Sequence, residues 1–430
     1  MNDLNAQQYL FKASKTWWRQ ALAWSAEHVD TITLFNNNGI GYPHGPFPNR
    51  LAMGARRIIQ FSGFDDLQTL YQAHREQPGW LIGYLSYDLK NQLEAVSSRH
   101  HDTVGFPPIF FYEPQYLLDF TEAGVYIYGD DADQLYQQIS QFPIPAAGRP
   151  PKPVTIRNRV APETYLATVK QIQEHIVAGD VYELNYCQEF FAEAVHLDPT
   201  AIYLALNERS PMPFSVFMKL HDKYLLCASP ERFLRKTGDL LVSQPIKGTI
   251  RRGKSTEVDE QLRQALRHNE KEQAENLMIV DLVRNDLARS ARTGTVRVDE
   301  LFGIYTFRQV HQMISTVSAR LHPDLTFADA IRHAFPMGSM TGAPKIRAME
   351  LIDQYEASRR GLYSGAVGYI SPEGDFDFNV VIRSLLYNAG SRYASFSVGS
   401  AITYDADPEQ EYQECQLKAQ ALREVLTGIV

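Results

Sequence analysis

Apolar residues recur at two periods along this chain, and the changes between them lay out its elements. In "PETYLATVKQIQEHIVAGD", Tyr165, Val169, Ile172 and Ile176 follow helical spacing, and Gly179 closes the run. A longer helical pattern covers roughly residues 256 to 291. Further helices are expected from near Pro344 and from Asp407-Pro408, an N-cap followed by a proline suited to the first turn. Runs rich in aromatic and β-branched residues read as strands. Early ones are "WLIGYLSYDL", "PIFFYEPQYLLDF" and "GVYIYG"; "KYLLCASPERFLRK" and "GDLLVSQPI" flank a turn at Thr237-Gly238-Asp239; "SGAVGYIS", "DFNVVIRSLLY" and "YASFSVGSAITY" come late. Strands and helices fall in blocks instead of alternating, which predicts a layered α+β fold.

Five prolines in "QFPIPAAGRPPKPVTIRNRV" forbid a helix or central strand there. They predict a connection over 146–160 between an N-terminal region, 1–145, and a C-terminal region, 161–430, with the two expected to form one compact unit. The 430 residues are 44% hydrophobic and 21% charged, enough apolar mass for a large core. Net charge is −8 with scattered basic residues, so no nucleic-acid footprint is present. Cys187, Cys227 and Cys415 lie far apart, which suggests neither a disulfide framework nor a zinc site. With no signal-like start and no apolar run of about 20 residues, the expectation is a soluble cytoplasmic protein without a membrane partner.

Several side chains sit where the pattern does not want them. Glu275 heads a stripe with Met278, Ile279, Leu282 and Val283, and Glu414 shares a helical face with Leu417, Ala421, Leu422 and Val425. A buried carboxylate must protonate, pair or bind a metal. Arg284 and Arg289 are possible partners for the first; two such glutamates on separate helices suggest a shared Mg²⁺, the ion suited to a few oxygen ligands. Lys247, in "SQPIKGTIRRG", stands where a strand gives way to Gly248-Thr249. It is either a solvated strand end or a nucleophilic amine held in a pocket. "FPMGSMTGAPKIRAMELIDQYE" sets Gly338, Ser339, Thr341 and Gly342 before a helix, a capping turn or a small-anion site. Ala343-Pro344 interrupts the spacing that a nucleotide P-loop needs.

Together, "GDVYELN", "SPERF", "PIKGT", "AENLMIVDLVRND", "VHQMIST", "FPMGSMTGAPKIRAMELID", "YSGAVGYIS", "VVIRSL" and "EYQE" resemble the chorismate-utilising enzymes. Within that superfamily the match is to the component I chains of aminodeoxychorismate synthases. It covers residues 160 to 428, with the N-terminal third matched mainly in "LIGYLSYDL". The resemblance implies a chorismate-utilising fold, with large antiparallel sheets forming a sandwich core and helices packed outside. It also implies Mg²⁺ as cofactor, chorismate and ammonia as substrates, and a glutamine amidotransferase (component II) as partner.

By the same resemblance Lys247 is the nucleophile that forms a covalent adduct, since anthranilate synthases carry alanine in "PIAGT". Desolvation is expected to supply much of its activation. Glu231 is implied as general acid, with an ion pair to Arg232 as the alternative, and Glu275 and Glu414 as Mg²⁺ ligands. Tyr363 and Arg383 would contact substrate carboxylates, and Gly248, Thr249, Gly399, Ser400 and Ala401 would line the pocket. His311 would lie near the reacting ring, with a core role as its alternative.

Glu183 and Glu189 stand where the family usually has glutamine and arginine. Isochorismate and salicylate synthases place a lysine base at the position of Glu183, so Glu183 as a base leaves hydrolytic chemistry open. The family's glycine triplet reads Gly399-Ser400-Ala401, and no tryptophan-binding motif is recognisable, so feedback by tryptophan is not expected. Anthranilate synthase, an isochorismate- or salicylate-forming enzyme, and a non-catalytic chorismate-binding subunit remain as alternatives.

Overall fold

The computed structural model describes residues 8–144 and 153–428, so part of the proline-rich connection lies outside the described residues. Helices and a large, wholly antiparallel set of strand ladders build a layered α+β fold around one contiguous apolar core. The predicted helix at Pro162–Val177 forms, as do those at Lys345–Tyr355 and Pro408–Thr427. The pattern over 256 to 291 is two helices, Thr256–Arg267 and Glu270–Ala288. The break has a local cause: the Asn269 side chain accepts from the Glu272 N–H at 3.1 Å and restarts the helix as an N-cap.

The ladders form two arms. In one, Val310–Arg320 pairs with Arg297–Thr306, Ile246–Arg251 and Leu240–Gln244, and the ladder continues through Arg232–Thr237 and Phe376–Asn379 to Ala366–Ile370. In the other, Phe214–Leu220, Lys223–Ser229, Ser384–Asn388, Tyr393–Ile402 and Glu183–Ala192 pair in that order. Strands of the N-terminal region join the arms. Leu81–Leu85 pairs with Ala366–Ile370, Thr31–Asn36 pairs with Phe214–Leu220, and Ile109–Thr121 and Arg50–Ile58 complete the ladder between them.

The chain crosses between arms at Pro230-Glu231 and again at residues 380–383. Backbone bonds tie both crossings down, Val380 N–H to the Glu231 carbonyl at 3.0 Å and Ala228 N–H to the Arg383 carbonyl at 3.2 Å. Arg383 adopts a left-handed φ of 51°, which an arginine takes only when its surroundings impose it. Side chains at both crossings are thereby aimed into the gap where the arms diverge.

Candidate active site

That gap holds a cavity of about 500 Å³, lined by Glu231, Lys247, Glu275, Arg383, Gly399 and Glu414 among others. Lys247 reaches it because of a bulge. Opposite Val310–Arg320, Ile246 pairs with Ile314 but Thr249 with Gln312, so the strand carries one residue more than its partner. Gly248 absorbs the extra length at φ +94°, and Lys247 turns inward. Its side chain is 12% exposed, and Nζ donates to Glu183 Oε1 at 2.7 Å. Burial by itself would lower the lysine's pKa; Glu183, Glu275 and Glu414 outweigh it and hold the ammonium above its ordinary range. In the resting site these carboxylates therefore act against the desolvation that is expected to activate the amine.

Glu231 is buried and accepts from Ser339 Oγ at 2.6 Å. Burial pushes its pKa up from 4.5 to about 7, against the opposing pull of Ser339, Lys247 and Arg383. A carboxyl that is half-protonated near neutrality is matched to proton donation. Arg232, its alternative partner in sequence, is occupied elsewhere: fully buried, it grips Asp377 through two bonds of 2.9 and 3.0 Å. The glycine-rich turn supplies Ser339, so its contribution to the site is a hydroxyl on Glu231.

The Arg383 side chain forms no ion pair within 4.0 Å among the described residues; its guanidinium donates to Met212 Sδ at 4.0 Å. Burial lowers its pKa to about 10, still charged at neutrality, so the cavity presents an unneutralised guanidinium suited to a carboxylate. Tyr363 lines the same wall, with its hydroxyl 3.6 Å from Cys187 Sγ. Gly399 cannot carry a side chain, because a Cβ there would lie 2.4 Å from Cys187 Sγ.

Glu275 and Glu414 face one cavity together with Glu272 and Glu411. Glu275 is raised to about 7, first by burial and then by repulsion from Glu272 and Glu183 against the pull of Lys247 and Lys271; Arg284 instead pairs with Asp281. Burial and Glu414 raise Glu272 as well. No three metal-ligating side chains converge among the described residues. Each carboxylate has a lysine beside it, Lys271 at 3.7 Å from Glu275 and Lys418 at 2.6 Å from Glu414, and the all-oxygen donor set suits Mg²⁺, which keeps waters and takes substrate oxygens as further ligands.

Three placements differ from the sequence reading. The buried face of the last helix runs through Glu411, Cys415, Ala419, Leu422 and Val425, so Glu414 lies at the cavity mouth, its side chain 47% exposed and paired with Lys418 at 2.6 Å. Leu417 is exposed too. His311 is buried on the strand face away from the cavity, held between Asp259 and Thr306 at 2.9 Å each. Its neighbour Gln312 takes the cavity position, donating to Thr249 Oγ1 at 3.4 Å, with its Oε1 unpartnered among the described residues. Strand alternation also turns Ser400 away, onto the Tyr165 hydroxyl at 3.1 Å, while Gly399 and Ala401 line the cavity beside Gly248 and Thr249. Residue-type matching had no signal for Gln312; only the ladder register could have found it.

The fold and the cavity define a chorismate binding enzyme, and the chain belongs to that family, which matches residues 7–424. It is 35% identical over 384 residues to aminodeoxychorismate synthase component 1 of Bacillus subtilis (strain 168), covering 85% of this chain and 81% of that protein. It is 39% identical over 366 residues to aminodeoxychorismate synthase of Streptomyces griseus, covering 81% of this chain but 50% of that protein. Anthranilate synthase component I from Streptococcus pneumoniae TIGR4 superposes with a TM-score of 0.74 at 27% identity, covering 98% of this chain and 93% of that one. Among the described residues no helix is long and apolar enough to cross a membrane.

Proposed function

We propose that this chain aminates chorismate at C4, giving 4-amino-4-deoxychorismate for the 4-aminobenzoate branch of cytoplasmic folate synthesis. The observation that carries the reading is Lys247 inside a cavity that also holds a protonatable Glu231 and an Arg383 with no ion pair among the described residues. Arg383 binds a substrate carboxylate and Tyr363 packs beside it. Gly399 lets the ring approach the backbone. Lys247 attacks C2 as the C4 hydroxyl leaves, with Glu231 donating the proton that makes water the leaving group. Ammonia then adds at C4 and expels the lysine. Mg²⁺ held by Glu275 and Glu414 would supply the positive charge that neutralises the ring carboxylate.

Ammonia from a separate glutamine amidotransferase is supported by the relatives' designation as component 1. The test is incubation of the chain with chorismate, Mg²⁺ and ammonium, with products resolved by mass. Aminodeoxychorismate is expected, with turnover lost on chelation and in Lys247→Ala. Anthranilate or isochorismate as sole product, or no turnover at all, overturns the reading.

A further inference from the structure

On that reading the nucleophile needs a base: Lys247 sits in the site ion-paired to Glu183 as an ammonium, and an ammonium has no electron pair to give. We propose that Glu183 is the internal base that takes the proton from Lys247 Nζ before attack and returns it when the lysine departs. Glu183 does not touch the ring; it is a positioning residue that also carries a proton through Lys247.

Geometry supports this assignment over its rivals. The charged groups around Lys247 come from four elements: Glu183 from the strand Glu183–Ala192, Glu231 from the inter-arm crossing, Glu272 and Glu275 from the helix Glu270–Ala288, and Glu414 with Lys418 from the last helix. Of these, Glu183 alone accepts a hydrogen bond from Nζ, at 2.7 Å. Its side chain is 1% exposed and it is not among the residues lining the cavity, so Lys247 separates it from any substrate or water there. That arrangement disfavours a water-activating base and suits one that serves the amine.

The carboxylate is also under-coordinated. Its Oε2 is buried with no hydrogen-bond partner among the described residues. A carboxylate kept for structure in this fold looks different: both oxygens of Glu356 accept from Arg360, and one also accepts from the Cys187 N–H. That open oxygen is a lone-pair site at which the carboxylate can accept a proton. When a ligand fills the cavity and excludes water, a buried ion pair becomes costlier, whereas the neutral amine and neutral acid lose little. Substrate entry therefore favours the proton transfer that makes the nucleophile.

The protons balance over a full cycle. Nζ gives one proton to Glu183, and its freed pair forms the bond to C2. The two ring double bonds shift, the C4–O bond breaks, and the oxygen leaves as water with the Glu231 proton. Ammonia bonds to C4, the double bonds shift back, and the C2–N bond breaks to release a neutral amine. Glu183 reprotonates Lys247, and the new C4 ammonium returns one proton to Glu231. The sum is chorismate plus ammonia giving aminodeoxychorismate and water.

The test follows adduct formation in single-turnover reactions with chorismate and Mg²⁺ but no ammonium, quenched and read by intact mass from about pH 6 to 9. Glu183→Gln removes the base and also the charge that holds the ammonium, so one pH cannot separate the two effects. The ratio of rates can. In wild type the transfer is internal and independent of bulk pH; in Glu183→Gln the proton must leave to solvent. The wild-type to variant ratio should therefore fall about tenfold per pH unit, from roughly 10²–10⁴ at the acid end, while the Glu231 limb, common to both, cancels. Glu183→Asp keeps a carboxylate and should run slower at a constant ratio to wild type. A ratio for Glu183→Gln that does not change with pH, a pH-dependent ratio for Glu183→Asp, or isochorismate as wild-type product overturns the proposal. Failure of wild type to make aminodeoxychorismate with ammonium present sinks the parent reading instead.

Discussion

Glu231→Gln should make the protein more stable and nearly inactive, and the gain in stability should depend on pH in a specific direction. The carboxyl of Glu231 has a folded-state pKa of about 7 against 4.5 for the ordinary group, chiefly because it is buried. The folded state thus binds this proton more tightly than the unfolded state does. Its contribution is most favourable below pH 4.5, declines as pH rises to about 7, and is constant above that. A rise from 4.5 to about 7, at about 1.4 kcal/mol per pH unit, sets the ceiling on the loss at about 3 kcal/mol. Glutamine has the same shape, can still accept the Ser339 hydroxyl, and carries no charge to desolvate. Urea unfolding of both proteins at pH 8 and at pH 4.5 isolates the effect, since every other titrating group cancels in the difference. The variant should be more stable by up to about 3 kcal/mol at the higher pH, shrinking to a few tenths at the lower. Turnover should fall by roughly 10²–10⁴. An equal difference at both pH values would show that Glu231 is an ordinary ionised carboxylate, and the general-acid assignment would go with it.

Three other outcomes are expected. Arg383→Gln should raise the KM for chorismate by roughly 10- to 100-fold, the worth of one charge-assisted carboxylate contact, in steady-state assays with saturating ammonium. His311→Ala should lower the urea midpoint by stripping a buried partner from Asp259 and Thr306, yet leave kcat/KM within a factor of about three. Micromolar tryptophan should not inhibit the purified enzyme, as a direct rate measurement with and without it will show.

What the sequence made legible was the chemistry of residues close together in the chain, and what it hid was register. "PIKGT" puts a lysine beside a glycine, but the extra residue that turns Lys247 inward exists only as a mismatch with Val310–Arg320 across the ladder. The same kind of error, one residue along a strand, exchanged His311 for Gln312, because strand side chains alternate between faces. A comparable slip on the last helix gave Glu414 the burial that belongs to Glu411. The partner of Arg232 was invisible for another reason: Asp377 lies 145 positions away and meets it only through the pairing of Arg232–Thr237 with Phe376–Asn379. Strand Glu183–Ala192 is buried along its whole length, so no alternation marked which of its polar residues mattered.

The way the two arms are joined bears on how variation reaches the chemistry. Lys247 belongs to one arm and Glu183 to the other, and within the named strand ladders the arms connect only through Leu81–Leu85, Ile109–Thr121, Arg50–Ile58 and Thr31–Asn36. These strands act as the spine of an open book: they line no part of the cavity, yet they set the distance between its facing pages. A repacking in that spine is felt as a change in the span that one proton must cross.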